Sequence, residues 1–462
     1  MTETLKLILE KSRGDPESLS QFIDEYLIPT EGEKKTHAEV STPYKLRQEM
    51  LDKMPEDFWQ SPKKVLEPCC GKGGFVVDIY NRFMRGLEET IKDRGERRRV
   101  VLEECLYFAD ISELNVFIAK TLLDPDGEYK LNCYIGDTLK LDIEETWGLK
   151  GGFEAVIGNP PYNKSKSGTL KGGYGGRSLW DKFVICSLDE WVTINGYLLF
   201  ITPPSWRKPG HYLWSKMTRE NQLVFLKCYS QKQGESFFGC STRVDYYLIR
   251  KCQKYNDTEI IGQDEKEYKV DVREWEFLPA GDIDVIKKML GNSEVIYSRS
   301  LYGTDKKNIL PKMLGNSEII YSSSIYDTRR KWVLPLKKKE SREDYYERCR
   351  QEKYTYPIIH NMTKAYGNGF VYSNENKGHF GVKKVVLSFG NQYPYNDYKG
   401  EYGMSQICFG IPISNKEEGE MICKAINTDK FKSVLKYTKW STFQTDWRMF
   451  KHFRAGWWRD FL

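Results

Sequence analysis

The stretch KKVLEPCCGKGGFVVDIYNRFM, residues 63–84, decides the fold of the chain. It begins with a short apolar segment, KKVLEP (63–68), passes through a run of glycines, and continues as FVVDIYNRFM (75–84), which has the apolar spacing of an amphipathic helix. A buried strand followed by a glycine-rich turn and a helix is typical of α/β sheets in which backbone amides approach a ligand closely. A turn that needs glycine only for its own conformation would look the same, so this stretch alone leaves the ligand open.

Strands and helices alternate along the chain as far as residue 251, which predicts a doubly wound α/β sheet. The last two predicted strands, LVFLKCYS (223–230) and RVDYYLIRK (243–251), follow each other without a convincing helix between them. They therefore suit an antiparallel pair that closes the sheet edge. The other predicted strands are 63–68, 104–110, 132–137, 153–159 and 196–204, and the predicted helices are 75–84, 111–123 and 178–192.

Length and composition predict a globular chain of two domains. The 462 residues are too many for one ordinary core, and a composition that is 40% hydrophobic and 29% charged can bury enough apolar surface to fold. We place the domain boundary in the polar segment after Arg250, which gives domains 1–255 and 256–462. The net charge of +6 is modest for this size and says little about partners.

The eleven cysteines form no CxxC pair and share no regular spacing with histidine, so we expect reduced thiols and no metal site. The start MTETLKLILEKSRGD lacks the layout of a secretory signal. Apolar stretches such as 197–201 are far shorter than the roughly 20 residues that span a bilayer. These features predict an intracellular, cytoplasmic protein with no membrane segment.

The segment IGNPPYN (157–163) carries the strongest chemical signal, because it follows an apolar strand and must lie at the carboxyl end of that strand, where open α/β sheets bind ligands. The exocyclic amine of a base is a poor nucleophile, since its lone pair is delocalised into the ring. Hydrogen bonds accepted from both amine hydrogens favour a tetrahedral nitrogen and free that pair. The amide oxygen of Asn159 and the main-chain carbonyl of Pro160 are neutral acceptors suited to this task.

The residues that follow Asn159 suit the same purpose. Pro160 and Pro161 fix φ and make the backbone rigid, and Tyr162 offers a flat face on which a flipped base can stack. An ordinary Asn-Pro turn is the alternative interpretation. Asp110, at the end of the second strand, is placed to bind the two hydroxyls of a ribose, although it is also a suitable acid for the start of the helix after it.

In this order the segments resemble the gamma group of amino-methyltransferases, the adenine N6 DNA methyltransferases of restriction and modification systems. The resemblance covers roughly residues 36–251. The segments that carry it are THAEVSTPYKLRQEML (36–51), LEPCCGKGGF (66–75), YFADIS (107–112), YIGDTL (134–139), IGNPPY (157–162) and ESFFGCSTRVDYYLIRK (235–251). Cys69, Cys70 and Lys72 depart from the family pattern, in which smaller or uncharged residues are commoner.

The resemblance implies a Rossmann-like class I methyltransferase sheet with a C-terminal mixed α+β target-recognition domain, and S-adenosyl-L-methionine as cofactor. It implies a site-specific enzyme that methylates N6 of a flipped-out adenine in double-stranded DNA. The implied catalytic residues are Asn159, Pro160, Pro161 and Tyr162, and Phe238, with Phe237 as the alternative, would pack on the target base. The implied cofactor-binding residues are Thr42, Pro43, Glu67, Pro68, Cys69, Gly71, Gly73, Asp110, Ile111, Asp137 and Asn159.

The C-terminal segment KFKSVLKYTKWSTFQTDWRMFKHFRAGWWRDFL (430–462) interleaves cations with aromatic residues. Cations such as Lys439 and Arg448 would contact phosphate, and the aromatic residues could stack on bases. The alternative is a helical region whose aromatic side chains form a core and whose cations are solvated. A 24-residue tandem repeat lies at 288–332 and is either a duplication within a surface hairpin or loop, or a device that contacts DNA.

Other enzyme classes share the NPPY signature, and they stay open at this stage. RNA adenine methyltransferases are the first alternative, and protein-glutamine methyltransferases, which are usually smaller, are another. A non-catalytic nucleic-acid binder is a third, although intact Asn159 and Tyr162 argue against it. The 35 residues before the first motif are too few for a nuclease domain, so the expected partners are DNA and a separate cognate restriction endonuclease. We expect a monomer.

Overall fold

The structure is a computed structural model, and it describes residues 2–12, 16–27, 40–163, 178–253, 256–291, 317–322, 325–337, 339–363, 367–390, 393–440 and 444–462. Residues 36–39 of the first quoted motif and residues 292–316 of the repeat lie outside these ranges. The chain divides into two compact units. The first comprises Met1–Trp206 and His211–Arg273, and the second comprises Arg207–Gly210 and Glu274–Leu462.

A mixed sheet forms the centre of the first unit, and its described strands run in the order β3-β2-β1-β4-β5-β7-β6-β8-β9. The strands are β1 (Val65–Glu67), β2 (Leu106–Asp110), β3 (Asn132–Ile135), β4 (Phe153–Gly158), β5 (Val192–Thr202), β6 (Gln222–Tyr229), β7 (Val244–Arg250), β8 (Thr258–Ile261) and β9 (Glu267–Val270). Strands β3, β2, β1, β4 and β5 are parallel. Every residue of β1 and β2 is buried, as expected for parallel strands covered on both faces.

Helices cover this sheet and account for most of the remaining core. They are α1 (Thr2–Lys11), α2 (Pro16–Tyr26), α3 (Tyr44–Leu51), α4 (Gly74–Gly86), α5 (Arg94–Val100), α6 (Glu113–Leu123), α7 (Ile143–Trp147), α8 (Trp180–Cys186), α9 (Leu213–Thr218) and α10 (Gln231–Phe238). In α4 the buried residues Phe75, Val76, Ile79 and Phe83 recur at three- and four-residue intervals, so one face of the helix is apolar. The predicted Rossmann-like α/β fold class is confirmed.

Strand β7 lies between β5 and β6 and is antiparallel to both, so the predicted antiparallel pair is present. The expectation that no helix separates β6 from β7 is wrong, because α10 connects them. The hydroxyl of Ser230 accepts from the amide of Gln233 and the Gln233 side chain bonds the Ser230 amide, which caps the helix at both donors. Strands β8 and β9 lie beyond residue 255 and extend the same sheet, so the first unit continues to Arg273.

The second unit is built from two small sheets and four described helices, in agreement with a mixed α+β architecture. Strands β10 (Val333–Leu334), β11 (Tyr356–Thr363), β12 (Gly367–Ser373) and β15 (Gly403–Met404) form one sheet in the order β10-β12-β11-β15. Strands β13 (Lys384–Ser388), β14 (Tyr395–Asp397) and β16 (Cys408–Pro412) form the other, in the order β14-β13-β16. The helices are α11 (Ile283–Met289), α12 (Arg342–Gln351), α13 (Lys416–Asn427) and α14 (Asp429–Tyr437).

The aromatic residues of the C-terminal segment belong to the core of this second unit. Trp440, Phe450 and Phe461 are buried, and the rings of Phe431 and Trp457 stack with their centroids 4.7 Å apart. Rings buried in this way cannot stack on bases, so the core interpretation holds for these residues. Trp447 is only half-buried, and Phe443 lies outside the described residues. Within the residues that the structure describes, every helix is too short or too polar to cross a membrane.

Candidate functional site

A cavity of about 870 Å³ opens in the first unit at the carboxyl ends of β1, β2 and β4. These strands are neighbours and parallel, so the residues that follow them converge at one edge of the sheet. Most of the residues predicted to bind cofactor or substrate line it: Thr42, Glu67, Pro68, Cys69, Gly71, Asp110, Ile111, Asp137, Asn159, Pro160, Pro161 and Tyr162.

The glycine turn after β1 forms one wall of the cavity. Gly71 and Gly73 have φ values of +50° and +88°, which residues with a side chain rarely adopt. Gly73 also precedes the first turn of α4, and a Cβ there would lie 3.2 Å from the Cβ of Ala119. The turn therefore needs glycine both for its backbone conformation and for close packing against α6.

Asp110 ties this turn to the end of β2. Its Oδ2 accepts from the Gly71 amide at 2.9 Å, and its Oδ1 accepts from the Ser112 amide at 2.8 Å. The bond to Ser112 shows that Asp110 supports the start of α6, which was the alternative role considered for this acid. Asn115 Nδ2 also donates to Oδ1, at 3.3 Å, so the carboxylate fixes the glycine turn and the start of α6 relative to β2.

The loop after β3 supplies Asp137 and Thr138. The Asp137 side chain is 47% exposed and borders the cavity, so its carboxylate is available to a ligand. The hydroxyl of Thr138 donates to the carbonyl of Pro68 at 2.9 Å, which joins this loop to the glycine turn. The three loops are thus held together by hydrogen bonds between them.

Glu67 is a buried carboxyl group at the base of the cavity. Burial raises its pKa well above the usual range, and the nearby Asp110 carboxylate acts in the same direction. Its Oε1 accepts from the Cys69 amide at 3.1 Å. A Cβ on Gly158 would lie 2.3 Å from that same oxygen, so only glycine fits at this position directly before Asn159.

The two ends of the Asn159 amide have different environments. Its Nδ2 donates to the hydroxyl of Thr42 at 3.1 Å and lies 3.5 Å from the carbonyl oxygen of Val40. A carbonyl oxygen only accepts, so the nitrogen must face Val40 and the oxygen must face the other way. Oδ1 is shielded from solvent and has no hydrogen-bond partner among the described residues. The site therefore presents a fixed acceptor whose donor is missing.

Tyr162 closes the same part of the cavity and packs against the hydrophobic core of the unit. Its hydroxyl is buried and has no partner within the described ranges, and burial raises its pKa well above the usual value. The phenol is therefore neutral. The main-chain carbonyl of Tyr162 accepts from the Leu179 amide at 3.1 Å, which fixes the backbone after the two prolines.

Four of the residues predicted in the first unit do not line the cavity. Pro43 and Gly73 stand next to lining residues and shape the backbone at the ends of α3 and α4. Phe237 and Phe238 end α10 and pack against the core, and the cavity is bordered there by Cys240. The roles proposed for these residues, and for Lys439 and Arg448 in the second unit, stay predictions.

Sequence reasoning missed several lining residues. Ile23 and Asp24 come from α2, and Phe183 and Cys186 come from α8, neither of which carries a recognised motif. It also missed Arg47, a buried guanidinium between α2, α3 and α4. A buried arginine gives no periodic signal, because its position depends on the carboxylates that surround it in the folded chain.

Comparison with known proteins finds a family model that matches part of the chain and relatives of which the chain spans about half or less. Residues 104–232 match the family described as Eco57I restriction-modification methylase. The chain is 26% identical over 198 residues to "Type II restriction enzyme and methyltransferase RM.BcgI" of Heyndrickxia coagulans, an alignment that covers 42% of this chain and 28% of that protein. It is 24% identical to "Uncharacterized adenine-specific methylase" of Mycoplasma pneumoniae, covering 36% of this chain and 55% of that one.

Solved structures of restriction-modification enzymes are similar over more of the chain. The Type ISP enzyme LlaGI, solved as a nuclease-deletion mutant with a DNA substrate mimic, is 11% identical, covers 89% of this chain and 45% of its own, and has a TM-score of 0.46. The Type IIL enzyme MmeI, solved in complex with DNA, is 11% identical, covers 87% of this chain and 65% of its own, and has a TM-score of 0.45.

Proposed function

We propose that the chain is a site-specific DNA methyltransferase that transfers a methyl group from S-adenosyl-L-methionine to N6 of a flipped-out adenine. The observation that carries the proposal is the Asn159 amide, whose nitrogen is anchored and whose buried oxygen lacks a partner within the described residues. A buried acceptor without a donor costs free energy unless a ligand supplies the donor. An exocyclic amine is a donor of the required kind.

The residues around the cavity fit the cofactor. The glycine turn lets the backbone approach a ligand, Asp110 lines the cavity as the proposed acceptor for ribose hydroxyls, and Asp137 has a half-exposed carboxylate for an adenine amine. Ile111 is 61% exposed beside Asp110 and offers an apolar surface for the adenine ring. When bound, S-adenosyl-L-methionine supplies an electrophilic methyl group.

The catalytic work of the chain follows from neutral acceptors on a rigid backbone. Asn159 Oδ1 accepts one hydrogen of the target amine, and the carbonyl of Pro160 is the proposed acceptor of the other. These bonds strengthen as the nitrogen becomes tetrahedral, so they stabilise the transition state more than the ground state. Tyr162 holds the extruded base by stacking, for which its ring is sufficient.

The second unit is the proposed target-recognition unit. It lies outside the segment that matches the methylase family, and Lys439 and Arg448 are its proposed phosphate contacts. The relative from Heyndrickxia coagulans is described as both a restriction enzyme and a methyltransferase. We include a cognate endonuclease, on this or another chain, among the proposed partners.

The test is tritiated methyl transfer from S-adenosyl-L-methionine to duplex DNA, followed by nucleoside analysis. We expect the label in N6-methyladenine, at positions that sequencing then assigns to one recognition site. Structured RNA and a protein extract are run in parallel. Label in RNA or in glutamine, and none in DNA, would contradict the proposal.

A further inference from the structure

Arg47 lies at the centre of a buried polar cluster beside the cavity. Its side chain is 2% exposed, its Nε donates to Asp78 Oδ2 at 2.6 Å, and one Nη1 bond goes to Asp24 Oδ1 at 2.7 Å. Nη2 donates to the hydroxyl of Ser20 at 2.8 Å. The guanidinium therefore joins α2, α3 and α4.

The remaining bond of this guanidinium leads to the cavity. Nη1 also donates to the main-chain carbonyl of Thr42 at 2.5 Å, and the hydroxyl of Thr42 accepts from Asn159 Nδ2 at 3.1 Å. Hydrogen bonds thus link Asp78 through the Arg47 guanidinium to the main-chain carbonyl of Thr42, and the side chain of the same threonine binds Asn159. Each link is a donor to an acceptor, and the guanidinium is at the buried end.

The neighbouring groups restrict the position of the Arg47 guanidinium. A Cβ on Gly74, the first residue of α4, would lie 2.9 Å from Cζ and from Nη1 of Arg47. The planar group is held against the glycine backbone by partners on several sides, which is a geometry that a lysine ammonium cannot reproduce. Thr42 is correspondingly fixed at the point from which it holds Asn159.

We infer that Arg47 is a positioning residue for Asn159, because it holds Thr42, which binds the Asn159 amide nitrogen and thereby sets the orientation of the amide oxygen. This inference rests on the proposed function for the meaning of that oxygen. Arg47 itself does not touch the reacting atoms. Its effect should appear in the conformation of Asn159 and in the methyl-transfer step, more than in the affinity for cofactor.

The test compares Arg47→Lys with a control on the same helix. Glu49, two residues along α3, pairs with Lys227 at 2.6 Å and accepts from Tyr229 and Tyr246. Lys227→Met removes an ion pair that anchors α3 to β6 but has no link to Asn159. Thr42→Val, which removes the acceptor of Asn159 Nδ2 and leaves the Arg47 cluster intact, is the second variant if Arg47→Lys does not fold.

The first measurement needs no substrate. The protein is labelled with [15N]asparagine, and the side-chain amide signal of Asn159 is assigned by its loss in Asn159→Ala. We expect Arg47→Lys and Thr42→Val to shift this signal toward that of a free amide, and Lys227→Met to leave it unchanged. An unchanged signal in both Arg47→Lys and Thr42→Val would overturn the inference.

The second measurement is single-turnover methylation at saturating cofactor and DNA. We expect at least a tenfold loss for Arg47→Lys, with cofactor affinity within threefold of wild type and no such loss for Lys227→Met. The double variant Arg47→Lys with Thr42→Val should be little worse than either single variant, because both break one chain. Equal losses in Arg47→Lys and Lys227→Met would show a merely structural role. A wild-type protein that methylates nothing would refute the proposed function, whereas the amide signal would still decide the role of Arg47.

Discussion

The nitrogen and the oxygen of the Asn159 side-chain amide have different environments. The nitrogen is bound to Thr42, and the oxygen is shielded from solvent and has no partner among the described residues. A carboxylate at this position would carry charge and lose the donor to Thr42. The amide is therefore the side chain that is both anchored and neutral, and its role as acceptor stays a prediction from the IGNPPYN segment.

Replacing Asn159 with alanine should collapse turnover. The acceptor acts mainly in the transition state, and removal of one preorganised partner costs on the order of 3 kcal/mol, so single-turnover methylation should fall roughly a hundredfold. Cofactor and DNA binding should persist in calorimetry and gel shift. Asn132→Ala is the control, since its amide is also anchored, to the Glu103 carbonyl, but lies at the start of β3. Near-normal methylation by Asn159→Ala would contradict the proposed chemistry.

Tyr162 should tolerate the loss of its hydroxyl but not of its ring. The hydroxyl is buried without a described partner, so Tyr162→Phe removes no bond and should keep activity and stability close to wild type. Tyr162→Ala removes a stacking surface worth about 1–3 kcal/mol. A 2-aminopurine at the target position should report weaker capture of the base in Tyr162→Ala only. Strong impairment of Tyr162→Phe would instead assign a function to the hydroxyl.

At the scale of elements, β1 and β4 approach so closely that the side chain of Glu67 fills the space beside Gly158. The Glu67 carboxyl of β1 lies where a Cβ of Gly158 would stand at the end of β4. The strand that ends in the catalytic motif is thereby set against the strand that ends in the glycine turn. This contact explains why glycine precedes Asn159.

Gly158→Ala should therefore damage both stability and cofactor binding. Overpacking of this kind costs about 1–3 kcal/mol, which a lower thermal midpoint should report, and displacement of Glu67 should weaken cofactor binding in calorimetry. Gly151→Ala is the matched control, because the added Cβ would meet nothing within 4 Å. A second change, Glu67→Ala, should restore the midpoint of Gly158→Ala by removing the clash. Unchanged stability of Gly158→Ala would refute the contact.

The elements show where sequence reasoning succeeds and where it stops. Buried parallel strands and their crossover helices gave clear apolar periodicity, so β1, β2 and β4 were predicted close to their observed bounds. Helix α10 was missed because QKQGESFF is mostly polar and contains glycine. That glycine, Gly234, allows the helix to pack on the Thr242 carbonyl, which is a tertiary contact with no sequence signature. The Arg47 cluster was invisible for the same reason.

At the scale of the whole molecule, the C-terminal segment (430–462) contributes aromatic side chains to the core and cationic side chains to the surface. Its described aromatic residues other than Trp447 are core, so its contribution to DNA binding would come mainly from cations at the surface. Arg448 is exposed and also pairs with Asp446 at 2.9 Å. A neighbouring carboxylate partly offsets the attraction to phosphate, so each contact is expected to be modest.

The paired change of Lys439 and Arg448 to alanine should weaken DNA binding and lower the slope of log affinity against log salt by about 1 to 2. Cofactor binding should be unaffected. Lys416 and Lys432, which pair with Glu420 and Asp429 on α13 and α14, provide a control with the same loss of charge. Equal effects of the two pairs of substitutions would indicate a general charge effect. If the change of Lys439 and Arg448 had no effect, the phosphate contacts would have to be made by other residues.

The position of β7 between β5 and β6 has a consequence for synthesis of the chain. On the ribosome, β7 is completed roughly 50 residues after the end of β5, which at ~5–20 residues per second takes roughly 3 to 10 seconds. During this interval the apolar edge of β5 has no native neighbour, and β6, which emerges earlier, is available to pair with it wrongly. Codon choice between positions 203 and 250 sets the length of that interval. Soluble yield in a heterologous host should therefore depend on translation speed over those codons.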